Sequence, residues 1–307
     1  MSGQTRVQTR VLVAGKNGQL ARSLRFLAGT APDLELRFFA RQDLDITDEP
    51  ACRALVGRHR PDVVFNLAAY TDVDAAEQHP QEAEAVNTAG AGNLARAAAA
   101  HEAPIVHVST DYVFDGRKPS AYHETDDAKP VNRYGASKLA GERQVEQANP
   151  NHLVARTAWL YSPFGRNFVS RLLSTAATGR SCGMVADQIG NPTSALDLAE
   201  ALLVIARRLA GRDRDMPCGL YHLASPEPMS RFDWARMIVG LSAGMSGPTC
   251  PIEAAVTGDF PTPAARPLRT ALNSGRFHEA FGFDFPPAQK SMSDVLRLLL
   301  RQRKGMS

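Results

Sequence analysis

Short apolar runs alternate with helical segments through the first half of the chain, and this alternation limits the fold more than any other feature. The apolar runs lie at residues 11–14, 34–39, 63–67, 105–108 and 153–155. Apolar residues at helical spacing follow the first run at 20–27, and further helices are predicted at 81–100 and 133–147. Continuously apolar strands are typical of a parallel sheet covered by helices on both faces. A helix at 196–209 and a strand at 220–223 predict a return to this sheet.

A glycine-containing loop joins the first predicted strand to its helix. Gly15 permits a tight turn, Gly18 lets the backbone approach a diphosphate, and Ala21 is small where helix and strand pack. The diphosphate would lie at the helix N-terminus, where free N–H groups and the helix dipole favour an anion. Two glycines in a loop are common, but their position directly after the first strand predicts a dinucleotide-binding loop in a Rossmann-type, doubly wound α/β fold.

The end of the second predicted strand bears on the choice between NAD and NADP. An acidic residue there binds the ribose 2′-hydroxyl of NAD, whereas an arginine accommodates the 2′-phosphate of NADP. The charge at this strand end is Arg41, followed by Asp43 and Asp45. A guanidinium pairs bidentately with phosphate, although an arginine that only faces solvent fits this loop almost equally well. We expect both cofactors to work, with NADPH preferred over NADH.

Thr110, Tyr134 and Lys138 form the candidate catalytic set. Thr110 follows the strand predicted at 105–108, and Tyr134 and Lys138 lie four positions apart in the next predicted helix. This spacing puts the phenol and the ammonium on one helix face. Because a nearby cation favours a phenolate, we expect Lys138 to lower the pKa of Tyr134 from its ordinary value of about 10 and prepare it for acid–base catalysis. Thr110 would hydrogen-bond the substrate oxygen that Tyr134 protonates.

The regular alternation ends after Thr157, where proline and glycine become frequent. We predict a dinucleotide-binding domain of residues 1–160 and 193–224. Residues 161–192 and 225–307 are predicted to form a smaller, discontinuous C-terminal α/β domain that binds the substrate.

Composition excludes several classes of protein. The net charge of +3 is too small to indicate binding to nucleic acid or to an anionic membrane. The four cysteines lie far apart without metal-binding spacing, which favours reduced thiols and predicts no metal site. Residues 1–10 are polar, unlike a signal peptide, and no run of about 18 apolar residues predicts a transmembrane helix. We therefore expect a cytoplasmic protein.

Longer motifs along most of the chain resemble a known family. They are GKNGQLA (15–21), LDITD (44–48), PDVVFNLAAYTDVDAAE (61–77), AVNTAG (85–90), STDYVFDG (109–116), YGASKLAGE (134–142), RTAWLY (156–161), DQIGNPTSALDLA (187–199) and PTPAARP (261–267). In this order they are similar to the dTDP-4-dehydrorhamnose reductase family, within the extended short-chain dehydrogenases. The resemblance implies NAD(P)H-dependent reduction of the 4-keto group of a nucleotide-linked 6-deoxy sugar. The reaction that the resemblance implies converts dTDP-4-dehydrorhamnose to dTDP-L-rhamnose.

The loop chemistry and the resemblance together predict the site residues. Expected cofactor contacts are Gly15, Lys16, Asn17, Gly18, Gln19, Leu20, Arg41, Asp45, Ile46, Ala68, Ala69, Tyr70, Tyr134 and Lys138. The resemblance implies that Asp45 and Ile46 lie near the adenine and that Lys138 also reaches the nicotinamide ribose. Thr110, Asp111 and Trp159 are expected to contact the sugar substrate. The residues alone leave two alternatives open, a cap of the following loop for Asp111 and a place in the core for Trp159.

The chain departs from the family in two places. Arg133 precedes Tyr134 where a smaller or apolar residue is more usual, and residues 285–296 lack an expected tryptophan. Some members bind magnesium between subunits through glutamates, but no matching acidic set occurs around Leu196 or at the C-terminus. Magnesium is therefore not expected, and either a monomer or a homodimer fits.

Two alternative functions stay open. The first is reduction of another nucleotide-linked 4-keto-6-deoxysugar. The second is a non-catalytic, NADP-binding regulatory subunit of the same fold. Such a subunit need not keep Thr110, Tyr134 and Lys138 together, so their joint presence favours an enzyme.

Overall fold

The computed structural model describes residues 8–211 and 217–304. Its strands are β1 (Thr9–Ala14), β2 (Leu34–Phe39), β3 (Val63–Asn66), β4 (Ile105–Thr110), β5 (His152–Thr157), β6 (Cys182–Val185), β7 (Ile189–Gly190), β8 (Gly219–His222), β9 (Met229–Ser230) and β10 (Ile252–Ala255). Its α-helices are α1 (Gln19–Leu27), α2 (Glu49–His59), α3 (Val73–Gln78), α4 (Pro80–Glu84), α5 (Ala91–Ala99), α6 (Arg133–Ala148), α7 (Phe168–Ala176), α8 (Ala195–Ala210), α9 (Arg231–Gly244), α10 (Gly275–Phe281) and α11 (Ala288–Lys304). Single 3-10 turns occupy Ala28–Thr30, Asp111–Val113 and Thr257–Asp259, and Ala85–Gly90 is a π-helical segment.

Six parallel strands form the main sheet in the order β2-β1-β3-β4-β5-β8. The chain leaves β1 for β2 on one side and returns to β3 on the other, so the winding reverses between β1 and β3. In folds of this kind, ligands bind outside the carboxyl ends of the strands at this reversal. The predicted doubly wound parallel sheet is confirmed, including the return of the chain through α8 and β8.

Alternate residues of β1 belong to different hydrophobic clusters. Val11 and Val13 pack with α1 and α8, whereas Leu12 and Ala14 pack with α2 and α5. All four side chains are at most 1% exposed. The strand is apolar at successive positions because helices cover both of its faces.

Several helical regions differ from the sequence prediction. Helix α2 was not predicted, although Asp48 accepts a hydrogen bond from the Ala51 N–H and Pro50 lies in the first turn, both ordinary helix-start signals. The helix predicted at 81–100 is divided into α4, the π-helical segment and α5. Within the π-helical segment, the side chain of Asn87 bonds both backbone groups of Tyr70 and the hydroxyl of Ser137. These bonds tie the segment to the loop after β3 and to α6.

A second region packs beside the carboxyl ends of the main sheet. It contains the parallel pair β6–β10, the antiparallel pair β7–β9, and helices that surround the fully buried Trp234. Each helix that lies within residues 8–211 and 217–304 is too short or too polar to cross a bilayer.

A buried ion pair attaches α6 to the sheet. Glu142 accepts hydrogen bonds from Arg156 of β5 at 2.9 and 2.7 Å, and from the hydroxyl of Ser109 of β4 at 2.5 Å. The two charged side chains are only 8% and 4% exposed. Glu142 lies one helical turn beyond Lys138 and two turns beyond Tyr134, so the pair sets the face that α6 presents to β4 and β5.

We expect Glu142→Gln to destabilise the protein strongly. The amide keeps the shape of the side chain but leaves Arg156 as an unpaired buried charge, and such a change typically costs about 3–5 kcal/mol. Urea unfolding followed by circular dichroism measures the loss. The control is Asp127→Asn, which removes the exposed partner of Lys129 and should leave the free energy of unfolding unchanged. Equal unfolding midpoints for the two variants would contradict the role of the buried pair.

Candidate active site

A cavity of about 560 Å³ opens at the carboxyl ends of the central strands. It extends from the start of α1 to the loops after β4 and β5. All three predicted catalytic residues and the three predicted substrate contacts line it: Thr110, Asp111, Tyr134, Lys138 and Trp159. Residues that lie far apart in the sequence are therefore brought to one wall of a single cavity.

A second cavity of about 320 Å³ adjoins the first, because Asn17, Gly18 and Ala69 line both. Arg41, Asp45 and the start of the loop after β3 surround its far end. Each residue predicted to contact the cofactor lines at least one of the two cavities. Together they form one cleft that runs from the end of β2, across the start of α1, to Tyr134.

The two loop glycines are required for different reasons. Gly15 has φ +97°, and a Cβ at this position would lie 2.7 Å from the backbone N of Ala68 and the carbonyl carbon of Leu67. Gly18 has φ −69°, and a Cβ there would meet only the carbonyl oxygen of Gly15, at 3.5 Å. The fold itself therefore requires Gly15, whereas a side chain at Gly18 would extend into the cleft.

The start of α1 fits a dinucleotide diphosphate. No side chain caps this end of the helix, so its first N–H groups face the cleft without a side-chain acceptor. Free backbone donors and the positive end of the helix dipole together favour an anion. The residues of this loop suit the diphosphate of a nicotinamide dinucleotide.

Arg41 lies at the adenosine end of the cleft in a weak ion pair. Its Nε atom is 3.2 Å from Asp45 Oδ2, and its side chain is 79% exposed. Asp45 also accepts hydrogen bonds from the hydroxyl and the backbone N–H of Thr47, and these bonds, with a smaller contribution from Arg41, lower the pKa of its carboxyl. An exposed ion pair of this kind is worth little, so Arg41 can turn toward a phosphate at small cost.

Tyr134 is a protonated phenol in this structure. Desolvation in the cavity raises its pKa, and a hydrogen bond with Thr110 only partly opposes the rise. The expectation that Lys138 lowers this pKa is wrong here. The Nζ atom of Lys138 bonds the carbonyl oxygen of Val108 at 2.8 Å and lies 3.3 Å from His107 Nε2, so it points toward β4. Burial lowers the pKa of Lys138 to about 8, with the charge of Glu142 opposing.

Asp111 holds Thr110 in place. Its carboxylate accepts hydrogen bonds from Thr110 Oγ1 at 3.1 Å and from Thr270 Oγ1 at 2.5 Å. The residue is 2% exposed, and burial raises its pKa to about 6. Both carboxylate oxygens thus have protein partners, and neither caps the loop that follows. The Thr110 hydroxyl also accepts the N–H of Tyr112, which orients it at the strand end.

Trp159 and Arg231 pack against each other in the lining of the same cavity. Trp159 has φ +44°, a left-handed conformation that bulky residues rarely adopt and that concentrates at functional sites. The guanidinium of Arg231 lies 3.6 Å from the centre of its ring, a cation–π contact. Arg231 lines the cavity, and burial lowers its pKa. The sequence analysis did not find Arg231, because it is the first residue of α9 and belongs to none of the motifs.

Metal-binding clusters are absent from the described part of the chain. Within residues 8–211 and 217–304, no group of three or more His, Cys, Asp or Glu side chains lies close enough together to hold an ion.

Comparisons with known proteins agree with this geometry. The model of the RmlD substrate binding domain family matches residues 9–301. A dTDP-4-dehydrorhamnose reductase of Sinorhizobium fredii is 40% identical over 96% of this chain and 99% of that protein. One of Salmonella typhimurium is 34% identical over 93% and 96%. A crystal structure of the reductase from Bacillus anthracis in complex with NADP has a TM-score of 0.88 and 30% identity, and covers 95% of this chain and 99% of that one. The chain belongs to the dTDP-4-dehydrorhamnose reductase family.

Proposed function

We propose that this protein uses NADPH to reduce the 4-keto group of dTDP-4-dehydrorhamnose, forming dTDP-L-rhamnose. The observation that carries the proposal is that Thr110, Tyr134 and Lys138 line the same cavity as the Gly18 loop. Relatives named for this reaction match nearly the whole chain, and the Bacillus anthracis reductase was solved with NADP. These similarities support both the substrate and the cofactor.

The chain's own residues bind the cofactor and supply the proton. The N-terminus of α1 would hold the diphosphate, Arg41 the 2′-phosphate, and Lys138 the nicotinamide ribose. When bound, the reduced nicotinamide supplies the hydride for the carbonyl carbon. Tyr134, whose raised pKa keeps it protonated, donates its phenolic proton to the carbonyl oxygen and so completes the alcohol. The Thr110 hydroxyl, which donates to Asp111 in this structure, would turn to donate to the same oxygen.

The substrate would enter from the side of the second region. We assign residues 161–192 and 225–307 to substrate binding, with Trp159 as one wall of the sugar site. Arg231 is a partly buried cation on that wall and suits an anionic part of the substrate, such as the diphosphate of a nucleotide sugar.

An assay on a panel of dTDP-4-keto sugars tests the proposal. Consumption of NADPH is followed by absorbance, and the products are identified by mass spectrometry and NMR. We expect turnover of dTDP-4-dehydrorhamnose to dTDP-L-rhamnose. Faster turnover of a different 4-keto-6-deoxysugar would identify that sugar as the substrate and leave the proposed reaction class unchanged. Absence of NADPH consumption with every sugar would overturn the proposal.

Tyr134→Phe should lower kcat by at least the roughly 10²-fold typical of a lost general acid. The phenyl ring keeps the packing and removes only the proton donor, so the dissociation constant of NADPH should barely change. Stopped-flow turnover and calorimetric binding measure the two effects. Tyr221→Phe, in a buried tyrosine of β8 outside the cavity, is the matched control. Wild-type turnover in Tyr134→Phe would disprove the assigned role.

Gly18→Val should abolish NADPH binding without unfolding the protein. The new side chain meets no protein backbone closer than the carbonyl oxygen of Gly15 but extends toward the place of the diphosphate. Calorimetry measures binding, and circular dichroism measures folding. Gly29→Val, at a position with no atom within 4 Å of a new Cβ, is the control. Unchanged affinity in Gly18→Val would show that this loop does not hold the diphosphate.

Arg41→Ala should raise KM for NADPH by about tenfold or more and leave KM for NADH nearly unchanged. A hydrogen bond to a charged group is worth about 1.5–3 kcal/mol, and only NADPH carries the 2′-phosphate. Initial-rate kinetics with both cofactors measure the difference. Arg53→Ala, which removes another exposed arginine from an i, i+4 ion pair, should change neither KM. Equal changes for both cofactors in Arg41→Ala would mean that the guanidinium does not recognise the phosphate.

A further inference from the structure

A buried chain of polar groups runs beneath the catalytic residues. The backbone N–H of Ala68 donates to Asn66 Oδ1 at 3.3 Å, and Asn66 Nδ2 lies 3.0 Å from His107 Nδ1. On the other side of the ring, His107 Nε2 lies 3.3 Å from Lys138 Nζ. Asn66 and His107 are fully buried, and Lys138 is 2% exposed. Nothing in the proposed reaction assigns a role to Asn66 or His107.

The backbone sets the orientation of the Asn66 amide. Its oxygen must face the Ala68 N–H, because the opposite orientation would place an NH₂ group against another donor. The Asn66 NH₂ group then faces His107 Nδ1 and donates to it. His107 Nδ1 is therefore an acceptor and carries no hydrogen.

This arrangement determines the form of His107. Burial holds its pKa well below the ordinary value, so the ring is neutral. A neutral imidazole carries one hydrogen. Since Nδ1 accepts from Asn66, that hydrogen lies on Nε2 and points at Lys138.

Lys138 consequently faces an N–H donor. An ammonium group has three donors and no acceptor, so a charged Lys138 would leave two buried donors facing each other. A neutral amine satisfies every contact, because its lone pair accepts from His107 Nε2 while it donates to the carbonyl oxygen of Val108. The hydrogen-bond pattern therefore favours the neutral amine over the ammonium.

The charged groups around Lys138 do not outweigh this hydrogen-bond pattern. Glu142, one turn along α6, is the acidic group that favours a charged Lys138. Its two oxygens are already occupied by Arg156 and Ser109. His107, from β4, is a neutral ring, and Tyr134, on the same face of α6, is a neutral phenol in this structure. Asp111, after β4, directs its carboxylate to Thr110 and Thr270.

We propose that Asn66 and His107 are positioning residues that favour the neutral amine of Lys138 in the ligand-free enzyme, so that this lysine loses its proton more readily than an ordinary one. Where Lys138 is neutral, it takes up a proton when the cofactor binds. The second half rests on the proposed function. A phosphate-bearing ligand adds negative charge and oxygen acceptors to the cleft that Lys138 lines, and both favour the ammonium form.

The ligand-free half can be tested without any activity measurement. The protein is labelled with ¹³Cε-lysine, the Lys138 resonance is assigned from its loss in Lys138→Met, and its chemical shift is followed from pH 6 to 11 (roughly the span around the ordinary lysine pKa of about 10.4). We expect a midpoint of about 8. A midpoint at the ordinary lysine value would overturn the proposal.

Two substitutions of Asn66 test the proton pattern itself. In Asn66→Asp the carboxylate accepts from both Ala68 and His107 Nδ1, so the ring hydrogen moves to Nδ1 and Nε2 can accept from an ammonium. In Asn66→Ser the hydroxyl can also accept from Nδ1, without added charge. We expect the Lys138 midpoint to rise by about one pH unit or more in the first variant and by less in the second, since a tenfold change in proton affinity is one unit.

The control separates the hydrogen-bond pattern from general effects of a buried charge. Asn149→Asp places a carboxylate at a 1%-exposed site whose amide bonds only backbone groups near the amino ends of β4 and β5. Its Lys138 midpoint should equal that of the wild type. A rise in Asn66→Asp without any rise in Asn66→Ser would assign the effect to the new charge and overturn the role of the amide. If Asn66→Asp does not fold, the Lys138 midpoints of Asn66→Ser and of the wild type still test the role of the amide.

Proton uptake on cofactor binding tests the second half. Calorimetric titration with NADPH at pH 9, in two buffers of different ionisation enthalpy, gives the number of protons bound with the ligand. We expect nearly one proton for the wild type and clearly less for Asn66→Asp, in which about half or more of the Lys138 side chains are already charged at this pH. NADPH binding without proton uptake would overturn this half. Failure of NADPH to bind would instead count against the proposed function, while the NMR result on the ligand-free protein would stand.

Discussion

The carboxylate of Glu142 accepts hydrogen bonds from Arg156 and Ser109 where neither charge reaches water, and this contact holds α6 against β4 and β5 together. A buried carboxylate tolerates little displacement, because each lost bond leaves a desolvated charge. The helix therefore cannot rotate or slide without a large cost. Since Tyr134 and Lys138 lie on the same stripe of α6, their positions against Thr110 and Val108 follow from this single attachment.

The reversal of the sheet between β1 and β3 brings a second set of groups together. The backbone at Gly15 lies directly against the backbone of Leu67 and Ala68. The predicted cofactor loop therefore packs on the end of β3. From the same strand end, Asn66 reaches His107 and, through it, Lys138. The loop that suits the diphosphate and the buried polar chain behind the catalytic lysine thus depend on the same pair of strands.

Local sequence patterns predicted a large part of the fold and of the cleft. Continuous apolar strands predicted a parallel sheet because burial on both faces leaves no position for polar residues, as Val11 and Leu12 illustrate. The predicted cofactor residues all line the cleft, because motifs at strand ends meet at one edge of a parallel sheet. Helix α2 could also have been predicted, since Asp48 and Pro50 mark its start. The break between α4 and α5 could not, because it depends on bonds from Asn87 to Tyr70 and Ser137.

The sequence by itself determined the alternation of strands and helices, the glycine loop and the candidate catalytic residues, because these follow from periodicity and short motifs. Only the tertiary structure decided their electrostatics. The spacing of Tyr134 and Lys138 predicted a phenol activated by a cation, yet the folded chain buries both groups and directs Lys138 to Val108 and His107. It also brought Arg231, from a distant helix, onto Trp159. Desolvation and hydrogen-bond partners depend on which distant segments pack together, and local spacing carries no information about that packing.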